Sequence, residues 1–382
     1  MPRTGIASLP LHYGAAPRWL FERMVRLARQ ITLVLVEEYG PQEVLARLSD
    51  PLWFQAFGCV LGFDWHSSGL TTTVCGALKE GLRGLERDSG LCVAGGKGKT
   101  SRRTPAEVEA FAERFGFLPA PLVYASRMAA KVDSAALQDG YQIYHHTFIF
   151  VPEGAWAVVQ QAMNEAARYA RRYHWLSSDV EDFVCEPHKA ICSEGRGDVR
   201  LNMVAQEAAD CRLMSARLAG EPPEKLVGEL KRLQASSSLQ DESRSFPEAE
   251  GFNPQEYSMQ ALELPARHHL DLSDIHPDNL ARIFLRTYEQ PPADFERLLG
   301  TEGVGAKSIR ALALVAELLY GAKASVRDPA RFSFAHGGKD GHPYPVDRET
   351  YDRTIETLRG AVQRARLGQR EKLDALRRLA AV

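Results

Sequence analysis

The sequence predicts an α+β (or α/β) N-terminal domain followed by a mostly helical C-terminal domain, and three observations carry that prediction. Helical and strand-like periodicities alternate over residues 1–233. The stretch 234–256, QASSSLQDESRSFPEAEGFNPQE, is polar, contains Ser, Pro and Gly, and has little apolar periodicity, so it reads as a linker or exposed excursion. Residues 257–382 are mostly helical in pattern, with dense Arg and Glu from Arg348 to Ala381. A chain of 382 residues is long enough for two or three domains, and its composition is that of a soluble globular protein.

The elements follow in order. Arg18 to Glu38 has the spacing of a long helix; its apolar run Ile31 to Val36 lies between Arg23, Arg26, Arg29 and Glu37, Glu38, far inside the length a bilayer needs, so no membrane span or secretory signal is expected. Leu70, Val74, Leu78, Leu82 and Leu85 mark a second helix. Leu91 to Ala94 is a short apolar strand that leads into the loop GGKGKTSRR over residues 95–103. A helix then opens at Thr104-Pro105, with Thr104 as cap and Glu107 closing a capping box. Tyr141 to Val151, aromatic and β-branched, predicts a buried strand; Trp156 to Tyr173 reads as a helix with Arg168, Arg171 and Arg172 near its end.

A formal net charge of -2 gives no global attraction to a polyanion, so any nucleic-acid contact has to come from local basic patches. Six cysteines scattered through a chain of this size point to a reducing cytoplasm and to buried free thiols. Cys185-x-x-His188-x-x-x-Cys192, with Cys211 or His174 as a fourth ligand, has a loose zinc-like spacing; no second paired knuckle accompanies it, so structural zinc is not the favoured reading.

Three clusters hold residues that could do chemistry. In Asp64-Trp65-His66-Ser67-Ser68, Asp64 and His66 share one face of an extended segment, suited to a metal or to a general base oriented by a carboxylate; the alternative is a helix cap and turn. Lys97, Lys99, Arg102 and Arg103 crowd the Gly-rich loop, where bare backbone and cations suit phosphate. Gly98-Lys99-Thr100 departs from a nucleotide-binding loop because Val93 stands where its first glycine belongs, so a nucleic-acid backbone fits better than ATP. The third cluster runs from Ser126 to His146 and includes Lys131, Asp133, Asp139 and Gln142. Strand alternation from Tyr141 would put Gln142, Tyr144 and His146 on one face and His145 on the other, so His146 is the preferred functional histidine. Asp133, Asp139, His146, Asp64 and His66 are the candidate ligands for Mg²⁺ or Mn²⁺; the alternative makes Asp139-Gly140 a turn and Asp133 a surface charge.

In LLGTEGVGAKSIRALALVAELL, residues 298–319, Gly303-Val304-Gly305 sits between two apolar-periodic segments and Lys307 follows at once. The glycines leave backbone N–H groups bare at a helix N-terminus, an arrangement that favours an anion. The segment resembles the helix-hairpin-helix of DNA repair and processing proteins, which implies a grip on the sugar-phosphate backbone without sequence readout; a helix–turn–helix packing corner is the alternative. A second Gly-rich basic loop holds His336, Lys339, His342 and Asp347. Asp347 suggests a base-excision glycosylase, although its distance from Lys307 is longer than those enzymes use and Asp347 equally suits an N-cap.

Taken together, LGFDWHSSGLTTTVCGALKEGL, CVAGGKGKTSRRTP, SRMAAKVDSAALQDGYQIYHHTFIF and FAHGGKDGHPYPVDR resemble a prokaryotic family known as domain of unknown function seven-six-three, over most of the chain to about Arg353. The family's name implies no reaction, so the functional expectation rests on residues. It is a metal-dependent nuclease acting on DNA in repair or processing: Asp64, His66, Lys131, Asp133, Asp139, Gln142 and His146 form the cutting site, and Lys97, Lys99, Arg102, Arg103, Gly303, Gly305, Lys307 and Lys339 hold the strand. The alternatives are a non-catalytic DNA-binding or repair-scaffold protein, a glycosylase, and action on RNA. The partner polymer is expected to be single-stranded or structured DNA, and a homo-oligomer is compatible with the sequence.

Overall fold

Helical spacing decides how the first layer packs. Helix α1 (Arg18–Tyr39) turns Met24, Leu27, Ala28, Ile31 and Leu35 to one side and buries them. Helix α2 (Pro41–Ser49) follows. In α3 (Pro51–Leu61) every residue is buried, as expected of a helix that is apolar all round. Asp50 starts α3 by accepting from the Leu52 and Trp53 N–H groups at 2.8 and 2.9 Å, and Pro51 occupies the first helical position. Helix α4 (Gly69–Leu82) completes the layer, and a short turn α5 (Glu86–Ser89) leads to the sheet. The computed structural model describes residues 16–63, 68–166, 168–193, 199–243, 275–330 and 348–380.

The sheet has five strands, β1 (Cys92–Lys97), β3 (Gln142–Phe150), β4 (Trp156–Asn164), β5 (Tyr169–Leu176) and β6 (Ala190–Cys192), side by side in that order and antiparallel throughout. Helices α6 (Thr104–Phe115) and α7 (Ala120–Lys131) connect β1 to the small pair formed by β2 (Leu137–Gln138) and β7 (Leu201–Asn202). Helices α8 (Ala209–Ala219), α9 (Pro223–Ser243), α10 (Pro277–Glu289), α11 (Phe295–Gly300), α12 (Ala306–Tyr320), α13 (Arg348–Arg364) and α14 (Gln369–Ala380) follow. The N-terminal half is therefore α+β and the C-terminal part helical. Helix α9 carries helical backbone into the polar stretch that begins at Gln234.

Each face of the sheet has its own core. One packs Val93, Ile149, Val159 and Leu176 against α1–α4 and against Leu358, Val362 and Leu379 of α13 and α14. The other joins Phe148, Phe150, Val158, Tyr173 and Trp175 to α7 and to Leu298, Leu299, Val304 and Leu312 of α11–α12. The result is a sheet between two helical layers. No helix among the described residues is long and apolar enough to cross a membrane.

Two expectations are corrected here. Residues 156–173, read as a helix, form β4 and most of β5, joined by a turn in which Arg168 has φ +61°. Both strands are central and buried on both faces, so no apolar/polar alternation shows in the sequence, and packing overrides the helix propensity of Ala, Gln, Met and Arg. The second concerns the faces of β3. Ile143 pairs with Ala162 and His145 with Gln161, so Tyr144 is an extra residue, a β-bulge. It puts Ile143 with His146 and sends Tyr144 to the side of His145, where its hydroxyl meets Gln161 Nε2.

Candidate functional site: a basic groove over a buried imidazole

The 98–103 segment is placed by its neighbours rather than by a capping box. At Gly95, φ is +87°, and a Cβ would lie 2.2 Å from the His146 carbonyl oxygen, so only glycine lets β1 pass this close to β3. Glu107, the expected capping residue, instead accepts the Gly95 N–H at 2.8 Å and the Lys79 ammonium at 2.6 Å. Thr104 already has helical backbone and donates to the Ser101 carbonyl at 2.7 Å. The chain from Gly98 to Arg103 is a 3-10 helix in consequence, and Lys97, Lys99, Arg102 and Arg103 project from this edge exposed. Lys97 lies 5.9 Å from the centre of the Tyr144 ring.

Beside that segment opens a groove of about 970 Å³, bordered by Arg102, Ser126, Arg127, Lys131, His146 and, from the end of α11, Gly300. Arg127 is exposed on the rim. Lys131 is half-buried, which lowers its pKa, and its ammonium donates to the Val304 carbonyl of the hairpin. The groove thus touches both segments that the sequence assigns to phosphate binding.

Its floor is His146, 4 % exposed. The ring lies between two partners, Ser126 Oγ at 2.9 Å from Nε2 and Gln160 Oε1 at 2.9 Å from Nδ1. Burial pushes its pKa down to about 4, against the pull of the Gln160 hydrogen bond, so the ring is neutral near pH 7. His145 points to the opposite face, where its Nε2 is 2.9 Å from Thr147 Oγ1; burial first, then His146 and Lys97, take its pKa down to about 3.

The carboxylates lie behind the groove. Asp133, fully buried in a π-helical turn (Val132–Ala136), is no surface charge: it accepts from Trp175 Nε1 at 3.0 Å and from Gln160 Nε2, and its other oxygen meets His188 Nε2. Asp139 accepts from Arg171 at 2.8 Å, the Tyr173 hydroxyl at 2.7 Å and the Tyr141 N–H at 3.1 Å; Arg171 also reaches Asp328 at 2.9 Å. Burial raises the Asp139 pKa against those three donors; burial acts to lower that of Arg171, but Asp139, Tyr173 and Asp328 together outweigh it and raise it. Gln142 is exposed at the start of β3 and takes no part in the groove. Among the described residues no three His, Cys, Asp or Glu side chains converge as a metal site, and none of the six cysteines is in a disulfide. Asp64, His66, His336, Lys339, His342 and Asp347 lie outside the described residues.

The hairpin joins α11 to α12 through five residues. Asp294 caps α11 by accepting the Arg297 N–H at 2.7 Å, Val304 is buried, and Gly303 has φ +88°. Helix α12 starts at Ala306 after the N-cap Gly305, which makes no side-chain cap, and Lys307 in its first turn is exposed. Gln138 fastens this end by donating to the Ala306 carbonyl at 2.9 Å and accepting from Arg310 at 2.7 Å.

Ser126 and Gln160 were not picked out from sequence. Ser126 looks like any helical serine, and Gln160 was hidden by the helical reading of its strand. No signal in the sequence marks them: the adjacent Arg171 and Arg172 read as a solvated helix end, and both are fully buried in β5. Comparison with known proteins finds one family, described as a protein of unknown function (DUF763), matching residues 5–346. No curated protein and no solved structure matches the chain.

Proposed function

The chain belongs to the DUF763 family, and we propose that it is a nuclease acting on DNA, in repair or processing, with the groove as its site and His146 as the base that takes a proton during phosphodiester cleavage. The observation that supports this reading is the meeting of three features in one groove. Exposed cations stand on its rim, the hairpin abuts one end, and a neutral imidazole forms the floor. A polyanion gains from the first two through charge and bare N–H groups, without sequence readout. The third is of little use to a protein that only binds.

Asp133 and Asp139 support the fold in this reading, since their oxygens already accept from buried donors. A divalent ion, Mg²⁺ or Mn²⁺, would draw its ligands from elsewhere.

The test is cleavage of end-labelled single-stranded, duplex and bubble DNA, with an RNA strand alongside, in EDTA, Mg²⁺ and Mn²⁺. The wild type should cut, and His146→Ala should lose about a hundredfold or more in rate while still binding. Salt-sensitive binding without product under every condition would favour the non-catalytic DNA-binding alternative, and absence of binding would remove nucleic acid as the partner.

A further inference from the structure

The amide of Gln160 has no freedom to flip. Its Nε2 donates to the Asp133 carboxylate and to the Ala129 carbonyl at 3.3 Å. Both of those partners can accept, so the NH₂ group belongs at that end and the oxygen at the other. Oε1 then faces His146 Nδ1 at 2.9 Å and can only accept, which puts the ring proton on Nδ1. Nε2 is left with its lone pair toward Ser126 Oγ at 2.9 Å, and the hydroxyl must donate to it. A polar relay Ser126–His146–Gln160–Asp133 therefore has one consistent set of proton positions, and His188 and Trp175 hold its far end.

Ser126 is also unusual for its place. It lies inside α7, where a serine hydroxyl commonly bonds back to the carbonyl four residues earlier, as Ser134 does to Ala130 at 2.7 Å. The Ser126 hydroxyl is directed to an imidazole instead, and both groups border the groove. A hydroxyl donating to a neutral imidazole that is itself oriented by a third group is the arrangement of an activated nucleophile.

We propose that Ser126 is the nucleophile of the phosphodiester reaction in this groove, with His146 as its base and Gln160 and Asp133 as positioning residues. The assignment of the phosphodiester rests on the nuclease reading above. Ser126 Oγ attacks phosphorus and its proton passes to His146 Nε2. The bond from phosphorus to the departing sugar oxygen breaks, and that oxygen takes the proton from the imidazolium. One strand end is now esterified to Ser126 and the other is released as a hydroxyl. Water then gives a proton to the same Nε2, attacks phosphorus and expels Ser126 Oγ, which recovers the proton. Water is the sole co-reactant, and Arg102, Arg127 and Lys131 along the groove offset charge on the phosphoryl oxygens.

The experiment uses the full chain with two probes. In the first, labelled DNA is incubated with wild type, Ser126→Ala and Gln160→Met, then quenched in denaturing detergent. The expected result is a DNA–protein adduct mapped to Ser126 by mass spectrometry. Ser126→Ala should lose adduct and about a hundredfold or more of the cleavage rate while its DNA binding, which reports folding, is unchanged. Gln160→Met should lower kcat at constant KM. In the second, a fluorophosphonate, which labels activated serines without any nucleic acid, should modify Ser126 in the wild type and not in His146→Ala. Cleavage by Ser126→Ala at the wild-type rate would overturn the proposal and leave the nuclease reading standing. Labelling of Ser126 with no DNA cut would overturn the nuclease reading, and with it the phosphodiester, while upholding the activated serine. Absence of both the Ser126 adduct and the labelling would overturn the nucleophile.

Discussion

Asp139 bonds a guanidinium, a phenol and a backbone N–H in a place closed to solvent. Its removal would leave Arg171 buried, ion-paired with Asp328. Asp139→Ala should therefore cost about 3 kcal/mol, the lower end for breaking a buried pair because Asp328 stays. Urea unfolding checks this, and a variant as stable as the wild type would show the pair to be dispensable. Loss of nuclease activity in that variant would report on folding. At this scale the sequence was a partial guide. The residue types around Asp133, Asp139 and His146 were legible as unusual; their separation into two buried acids and one groove histidine was not. That division depends on donors from β4, β5 and residue 188, distant in sequence from the groups they satisfy.

The hairpin between α11 and α12 permits a clean separation of fold from ligand. Gly303 is in the left-handed region and serves the turn, whereas Gly305 has φ -148°, and a Cβ there would meet nothing within 4 Å. Gly305→Ala should leave stability unchanged to within about 0.5 kcal/mol and weaken DNA binding if a phosphate approaches that backbone. Thermal unfolding and a fluorescence titration measure the two. Equal affinity would make the hairpin a packing corner. Helices α1 and α4 were legible because they keep a periodic face, whereas α3, buried all round, offers none. Strands β4 and β5 were not legible, since two buried faces erase the alternation. The bulge at Tyr144 hid the facing of β3, because one inserted residue reverses the pattern on one side of it. Of the two histidines His146 borders the groove, whereas Gln142 and Tyr144, expected on its face, do not.

Across the whole molecule, several histidines are buried and neutral. His145 and His146 have pKa values near 3 and 4, and burial takes His174 well below its usual value. In the unfolded chain each titrates near 6.5. As pH falls below about 6.5 the unfolded chain binds protons that the folded chain does not, so stability present above that pH is lost on the way to pH 4. The slope is on the order of 1.4 kcal/mol per pH unit for each histidine. Urea midpoints at pH 7, 6 and 5 should fall steadily; a flat series would mean that these rings take up protons in the folded state.

The span shared with the family ends at residue 346, and α13 begins at Arg348. Yet Leu358, Ala361, Val362, Ala375 and Leu379 close the core over α1–α4, so the family boundary is not a folding boundary. A protein trimmed to the matched span would carry an open seam along α1 and α3, where α13 and α14 pack. Such a fragment should self-associate more than the full chain during size-exclusion chromatography. Activity absent from the fragment would then say nothing about the groove, which lies on the far side of the sheet.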